Sequence, residues 1–84
     1  MSFSVQIKSS AARELARLSR GDRVRVVEAI ERLAREPWAG GALKGEFGGL
    51  RRIRVGRYRI VYEVRRKALL VLVIRVTARK DAYR

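Results

Sequence analysis

The dipeptide Gly56-Arg57, set between two stretches that alternate apolar and basic residues, constrains the fold more than any other feature of the chain. A two-residue connection with glycine first suits a type II′ turn, and such a turn sets the register of the strands it joins. Val55 then faces Tyr58, Arg54 faces Arg59, Ile53 faces Ile60, Arg52 faces Val61 and Arg51 faces Tyr62. Because side chains alternate across a strand, Val55, Tyr58, Ile53, Ile60 and Tyr62 fall on one face, where they can pack under other elements. Arg52, Arg54 and Arg59 converge on the other. Arg54 opposite Arg59 is a like-charge cross-strand pair, which costs stability. A sequence selected only to fold would avoid it, and an anion such as a phosphate between the two guanidinium groups relieves the repulsion. The plainer reading, arginines that keep a solvent-facing sheet soluble, suits any one of them alone. Three brought together by register, with Arg79 available from the tail, favour a binding site.

The remaining segments supply what covers the apolar face. Phe3, Val5 and Ile7 alternate with Ser4, Gln6 and Lys8, the period of a half-buried strand. Ser9 and Ser10 can cap a helix with Ala11, Leu15 and Leu18 on one stripe, which Gly21 is expected to end. A second helix starts near Asp22, carries Val26, Val27, Ile30, Leu33 and Ala34 inward, and stops at Pro37. The glycine-rich stretch 38–49 reads as a loop anchored by Trp38, Leu43 and Phe47. Strands are expected over Leu50–Val55, Tyr58–Val64 and Leu69–Val76, with a charged turn at 65–68 and a short polar tail. Leu69 to Ile74 is apolar on both faces, as a central strand would be. The expectation is one α+β domain over residues 1–84: a strand, a two-helix hairpin, then a three-stranded antiparallel meander, with the helices packed on one face of the sheet.

Charge and missing residue types narrow the chemistry. The chain has 84 residues, no cysteine and no histidine, which removes thiolate nucleophiles, imidazole acid-base chemistry and the usual zinc ligands. No metal site is expected. A formal charge of +13 attracts polyanions. Residues 1–43 hold 8 basic and 5 acidic side chains and residues 44–84 hold 13 and 3, so the C-terminal half carries the field. Nucleic acid is the leading expected partner and an acidic protein the second. An anionic membrane is a distant third, and the longest apolar run, Ala68 to Ile74, is too short to cross a bilayer. The first residues lack the continuous apolar stretch of a signal peptide, so a cytoplasmic protein is the expectation. Tyr83 reads equally well as a frayed aromatic or as a ring that stacks on a base or handles a proton.

Leu43-Lys44-Gly45, Arg52-Ile-Arg-Val55, Tyr58-Arg-Ile-Val-Tyr62 and the ending Val76-Thr-Ala-Arg-Lys-Asp-Ala-Tyr83 resemble, in order and spacing, the RelE/ParE toxin superfamily. The resemblance spans nearly the whole chain. It implies the toxin of a type II toxin-antitoxin system that enters the ribosomal A site and cleaves mRNA. The ribose 2′-hydroxyl is the nucleophile, without metal or small-molecule cofactor. By position, Arg52 and Arg54 match basic residues of the second strand, Arg59 matches the arginine of the Tyr-Arg-hydrophobic-Val-Tyr segment, and Arg79 and Tyr83 match the C-terminal arginine and tyrosine. Lys44, Arg51 and Lys80 are the further expected RNA contacts. Arg52 and Arg54 stand where relatives often carry lysine, and Ala78 where many carry histidine. Arginine stays protonated and holds phosphate but is a poor base, which leaves proton transfer to Tyr83 and ribosomal groups. The resemblance also implies a cognate acidic antitoxin, with mRNA and ribosomal RNA as the other partners. Two rival functions follow. One is poisoning of DNA gyrase, as in the ParE branch. The other is a non-catalytic basic nucleic-acid-binding module, although no zinc finger or interleaved aromatic motif marks one.

Overall fold

The N-terminal alternation becomes β1 (Ser4–Ile7), which passes into α1 (Ser9–Ala16) with no residue to spare. Lys8 is the N-cap of α1, and its N–H continues the ladder by donating to the Val73 carbonyl at 2.9 Å, so neither Ser9 nor Ser10 caps the helix. Gly21 does not end α1 either. The helix has already stopped at Arg17, and Ser19 takes the N-cap of α2 (Arg20–Arg32), its hydroxyl accepting from the Asp22 N–H. A serine with an acidic residue three positions on is a stronger start signal than glycine is a stop. Gly21 therefore lies in the first turn of α2. Val26, Ala29, Ile30 and Leu33 form the buried stripe. Beyond Arg32 the chain tightens into i→i+3 bonds, and the Ala34 carbonyl accepts from the Phe3 N–H at 2.8 Å, tying the end of α2 to the start of β1.

The computed structural model describes residues 2–43 and 49–78. In it β1 joins β2 (Gly41–Ala42), β3 (Leu50–Val55), β4 (Tyr58–Arg65) and β5 (Leu70–Ala78) in a single sheet of order β1-β5-β4-β3-β2. The antiparallel meander β3-β4-β5 is as expected from the sequence; β1 adds to it parallel to β5, and β2 covers the far edge opposite Arg51 and Arg52. The stretch expected to be plain loop thus contributes an edge strand. β5 runs two residues past the expected end, so Thr77 and Ala78 belong to the sheet. The preceding turn closes with Leu69 at φ 51, outside the strand.

One core holds the layers together. Ala11 and Leu15 of α1 and the α2 stripe meet Tyr58, Ile60, Tyr62, Val71, Val73 and Val76. α1 lies against β5 and α2 against β3. Where β1 ends opposite Val73, Glu14 of α1 takes over the open edge of β5, its Oε1 accepting from the Val76 N–H at 2.8 Å. An irregularity between Val61 and Tyr62 shifts the β4-β5 register there, and the apolar row of β5 changes parity from Val71 and Val73 to Val76 while staying in the core.

The segment after α2 is fastened by Tyr62. Its fully buried hydroxyl donates to the Pro37 carbonyl at 2.9 Å and accepts from the Gly40 N–H at 3.0 Å. A side chain at Gly40 would place Cβ 2.3 Å from the Arg52 carbonyl oxygen and 2.7 Å from the Tyr62 hydroxyl, whereas Gly41 faces open space. Of the expected loop anchors, Leu43 is half-buried and its N–H donates to the Leu50 carbonyl. Trp38 is 49% exposed, its ring under the Arg51 guanidinium. Phe47 lies outside the described residues. Gly40→Ala is expected to cost on the order of 2–3 kcal/mol through overpacking and the loss of a buried hydrogen bond. Gly41→Ala should stay within about 0.5 kcal/mol of the parent. Urea unfolding of the two variants checks the contrast, and equal stabilities would contradict it.

Candidate nucleic-acid interface

The β3-β4 hairpin has the register that its turn residues dictate: Arg54 with Arg59, Val55 with Tyr58, Ile53 with Ile60, Arg52 with Val61 and Arg51 with Tyr62. Gly56 takes φ 57, and among the described residues only Leu69 is a non-glycine with positive φ, so Arg57 keeps the negative φ of a type II′ turn. Tyr58, Ile60 and Tyr62 are buried against the helices. By alternation Arg52, Arg54 and Arg59 occupy the opposite face.

β5 extends this face. Thr77 is the cross-strand partner of Arg59 and Arg75 that of Val61, so one row runs Arg54, Arg59, Thr77 across three strands, and Arg52 lies on the next row. Thr77, half-buried, lies on this face, although from sequence it falls in the tail. Its signal was the apolar alternation of β5, which continues through Val76 to Ala78 once one residue of slippage is allowed.

Among the described residues, three acidic side chains near the sheet pair with arginines outside this row. Asp22 pairs with Arg25 and Arg57, Glu63 with Arg65, and Glu14 with Arg75. Arg52 and Arg54 make no ion pair among the described residues. Arg54 is exposed, while Arg52 and Arg59 are half-buried. A half-buried guanidinium has fewer waters and fewer rotamers, so it presents its fork in a narrower range of directions.

Arg51, expected with the RNA contacts, is sent by the register to the face opposite Arg52 and Arg54. There its Nη2 donates to the Trp38 carbonyl at 3.1 Å and its guanidinium stands 5.4 Å from the centre of the Trp38 ring. It braces the chain between α2 and β2. Lys44, Arg79, Lys80 and Tyr83 lie outside the described residues. Those residues contain no cluster of three or more histidine, cysteine, aspartate or glutamate side chains that could hold a metal ion. Among them no helix is long and apolar enough to cross a membrane.

The tip of the hairpin is tied to the start of α2. The Tyr58 hydroxyl donates to Asp22 Oδ2 at 2.9 Å, Arg57 donates to the same hydroxyl at 3.2 Å and lies over the ring, and Arg25 Nη2 meets Asp22 Oδ1 at 2.5 Å. These contacts, the Tyr58 hydrogen bond foremost and Arg25 next, hold the Asp22 carboxyl below its ordinary value of 3.8. The same hydroxyl, then Asp22, raises Arg57 further above its already high value.

Residues 5–83 match the sequence model of the family described as ParE toxin of type II toxin-antitoxin system, parDE. Over its whole length the chain is 35% identical to Toxin RelG of Mycobacterium tuberculosis, covering 99% of that protein. Among solved structures it is similar to the toxin-antitoxin complex RelBE2 of Mycobacterium tuberculosis, with TM-score 0.88, 31% identity, and coverage of 94% of this chain and 100% of that one. It is also similar to the archaeal RelE-RelB complex of Pyrococcus horikoshii, with TM-score 0.80, 27% identity, and coverage of 94% and 97%. The isolated RelE toxin of E. coli shares the fold, with TM-score 0.78 at 22% identity, over 90% of this chain and 83% of that one.

Two outcomes follow from this geometry. Because the Asp22 carboxyl titrates lower in the folded than in the unfolded chain, its contribution is fully present above about pH 4, the unfolded value. It is lost as pH falls below that, through the folded value. Asp22→Asn should therefore be less stable than the parent at neutral pH, and the gap in urea midpoint should close on acidification below about pH 4; a gap that persists there would contradict it. Separately, Arg54→Thr removes one member of a like-charge cross-strand pair and should raise stability by a few tenths of a kcal/mol. The same change should weaken binding to single-stranded RNA and lower the salt dependence by about one counterion. Thermal unfolding and a salt titration of RNA affinity measure the two arms, and a loss of stability with unchanged RNA affinity would contradict the reading of this face.

Proposed function

From the fact that the chain belongs to the family of ParE toxins of type II toxin-antitoxin systems, within the RelE/ParE superfamily, we propose that it is a RelE-like endoribonuclease that cleaves ribosome-bound mRNA in the A site, in the cytoplasm. The observation that carries this reading is the pairing of Arg54 with Arg59, with Arg52 on the same face. A fold that tolerates like charges in direct register gains by having an anion between them, and a phosphodiester is the anion that ribosome-bound mRNA offers.

The chemistry fits that face. The ribose 2′-oxygen attacks the adjacent phosphorus as it gives up its proton, the bond from phosphorus to the 5′-oxygen breaks, and the 5′-oxygen is protonated. A 2′,3′-cyclic phosphate and a 5′-hydroxyl result. Negative charge grows on the non-bridging oxygens along this path, and guanidinium groups held around them stabilise it more than they stabilise the starting diester. Arg59, half-buried and central in the row, is assigned to the non-bridging oxygens, with Arg52 and Arg54 holding the flanking backbone. Arg79 is assigned to the leaving-group side and Tyr83 to proton transfer, which requires the surrounding arginines to lower its pKa from about 10. Lys44 and Lys80 are further RNA contacts in this proposal. Arg51 contributes through its hold on the chain leading to Lys44.

The +13 charge and the toxin-antitoxin complexes among the similar structures support an acidic antitoxin as the partner that masks this face. A segment disordered when free can wrap such a surface and order on binding. The description of the matching family as ParE supports a second reading, inhibition of DNA gyrase. Primer extension on mRNA in a purified translation system, run beside a gyrase cleavage assay, separates the two. The proposal expects 3′ ends at A-site codons, loss of about a hundredfold or more in rate for Arg59→Ala and Arg79→Ala, and little loss for Arg66→Ala at the distal turn. Gyrase-linked DNA breaks with intact mRNA would overturn it. Equal effects of the three substitutions at one salt concentration would overturn the localised site. Tyr83→Phe, which keeps the ring, distinguishes proton handling (a large loss) from stacking (a small one).

A further inference from the structure

We propose that Asp22 and Tyr58 are positioning residues of the arginine site, their hydrogen bond holding Arg54 and Arg59 in register from behind the sheet; the assignment of that site to RNA cleavage rests on the function proposed above. The need for such a tie follows from where the like-charge pair sits. β2 pairs only with Arg51 and Arg52, so among the described residues Ile53 to Val55, the part of β3 that carries Arg54, is paired with β4 alone. Arg54 and Arg59 therefore face each other at the end of the hairpin that has the least lateral support among the described residues. Val55 and Tyr58 form the pair between it and the turn, and Tyr58 also meets Ala78 of β5. Fixing Tyr58 fixes the row beside Arg54, Arg59 and Thr77.

The ring of Tyr58 is 7% exposed, so packing already holds it, and a phenylalanine would serve packing as well. The hydroxyl adds direction. Its bond to Asp22 reaches across 36 residues of sequence to the first turn of α2, whose own position is set by the Ser19 cap and the core stripe. Asp22 is only 19% exposed in its side chain and spends both oxygens on the tie and its neighbours: Oδ2 on Tyr58 and Arg57, Oδ1 on Arg25. Arg57 is thereby drawn onto the Tyr58 ring and toward α2. The turn arginine, which would otherwise compete for the phosphate, is drawn away from Arg54 and Arg59 on either side of the turn.

The test uses Tyr58→Phe, Asp22→Ala and the double variant, assayed well below their unfolding temperatures. Each single variant should lower the single-turnover rate of mRNA cleavage at saturating toxin by about tenfold or more, while the toxin concentration at half-saturation moves by less than about threefold. The double variant should be no slower than the slower single one, because both remove the same tie. The Nε–Hε resonances of Arg54 and Arg59 should shift in both variants, and those of Arg66 should not. An unchanged rate at saturation, or unmoved Arg54 and Arg59 resonances in folded protein, would overturn the proposal. If the parent itself leaves mRNA intact, the cleavage reading fails, and the arginine resonances still decide the tie. Should Tyr58→Phe fail to fold, Asp22→Ala, at a polar position on the helix, carries the same two measurements.

Discussion

The like-charge pairing of Arg54 with Arg59 follows from the geometry of one turn. Gly56 at φ 57 and Arg57 after it set the pairing for six residue pairs of the hairpin. A slip of one residue would send Tyr58, Ile60 and Tyr62 to the outer face and the arginines into the core, at a cost of several buried side chains and several desolvated charges. No nearby register trades one part of that loss against another. The apolar face thus enforces the basic one, and the core, by needing Tyr58, Ile60 and Tyr62 inside, keeps Arg54 and Arg59 together outside.

Around this hairpin, polar groups of the helix side act as fasteners at three places. Tyr62 binds the chain after α2 through Pro37 and Gly40, Tyr58 binds the first turn of α2 through Asp22, and Glu14 closes the edge of β5 at Val76. Each joins elements distant in sequence, and each side chain reaches its partner from a partly or fully buried position. A hydrogen bond made there is worth more for orientation than for net stability, since the unfolded chain makes the same bonds with water. Directional bonds of this kind let a small core, built mainly of valine, isoleucine and alanine, hold a basic face that repels itself.

Sequence alone showed the elements whose signals are local. The hairpin register, the apolar stripe of α2 through Val26, Ile30 and Leu33, and the meander of the last three strands all follow from periodicity and turn chemistry within about a dozen residues. What it did not show depends on contacts between distant segments. β2 is two residues with no periodicity, made by the close fit of Gly40 against Arg52 and Tyr62. The parallel seat of β1 beside β5 is a long-range choice. Leu69 adopts φ 51 in a turn where no glycine or asparagine advertises it. Arg51 already faces Tyr62 in the register read from the turn, but its contact with Trp38, thirteen residues away, has no local signal. Gly21 misled because the stronger start signal, Ser19 with Asp22, lies on both sides of it.

The distribution of acidic residues explains how so basic a chain can be specific about where it binds. Long-range attraction from +13 charges draws any polyanion and distinguishes little among surfaces. Selectivity arises where charge is left uncompensated beside charge that is not. Asp22, Glu14 and Glu63 lie at the hairpin tip, the β5 edge and the distal end of β4, and each takes arginines of the periphery: Arg25 and Arg57, Arg75, and Arg65. Arg52 and Arg54 are left without such a partner among the described residues. Three carboxylates cannot offset the net charge, but placed around the sheet they reduce the field at its margins more than at its centre. In the proposed reading, a phosphate backbone meets Arg52 and Arg54 where no carboxylate of the described residues pairs with them.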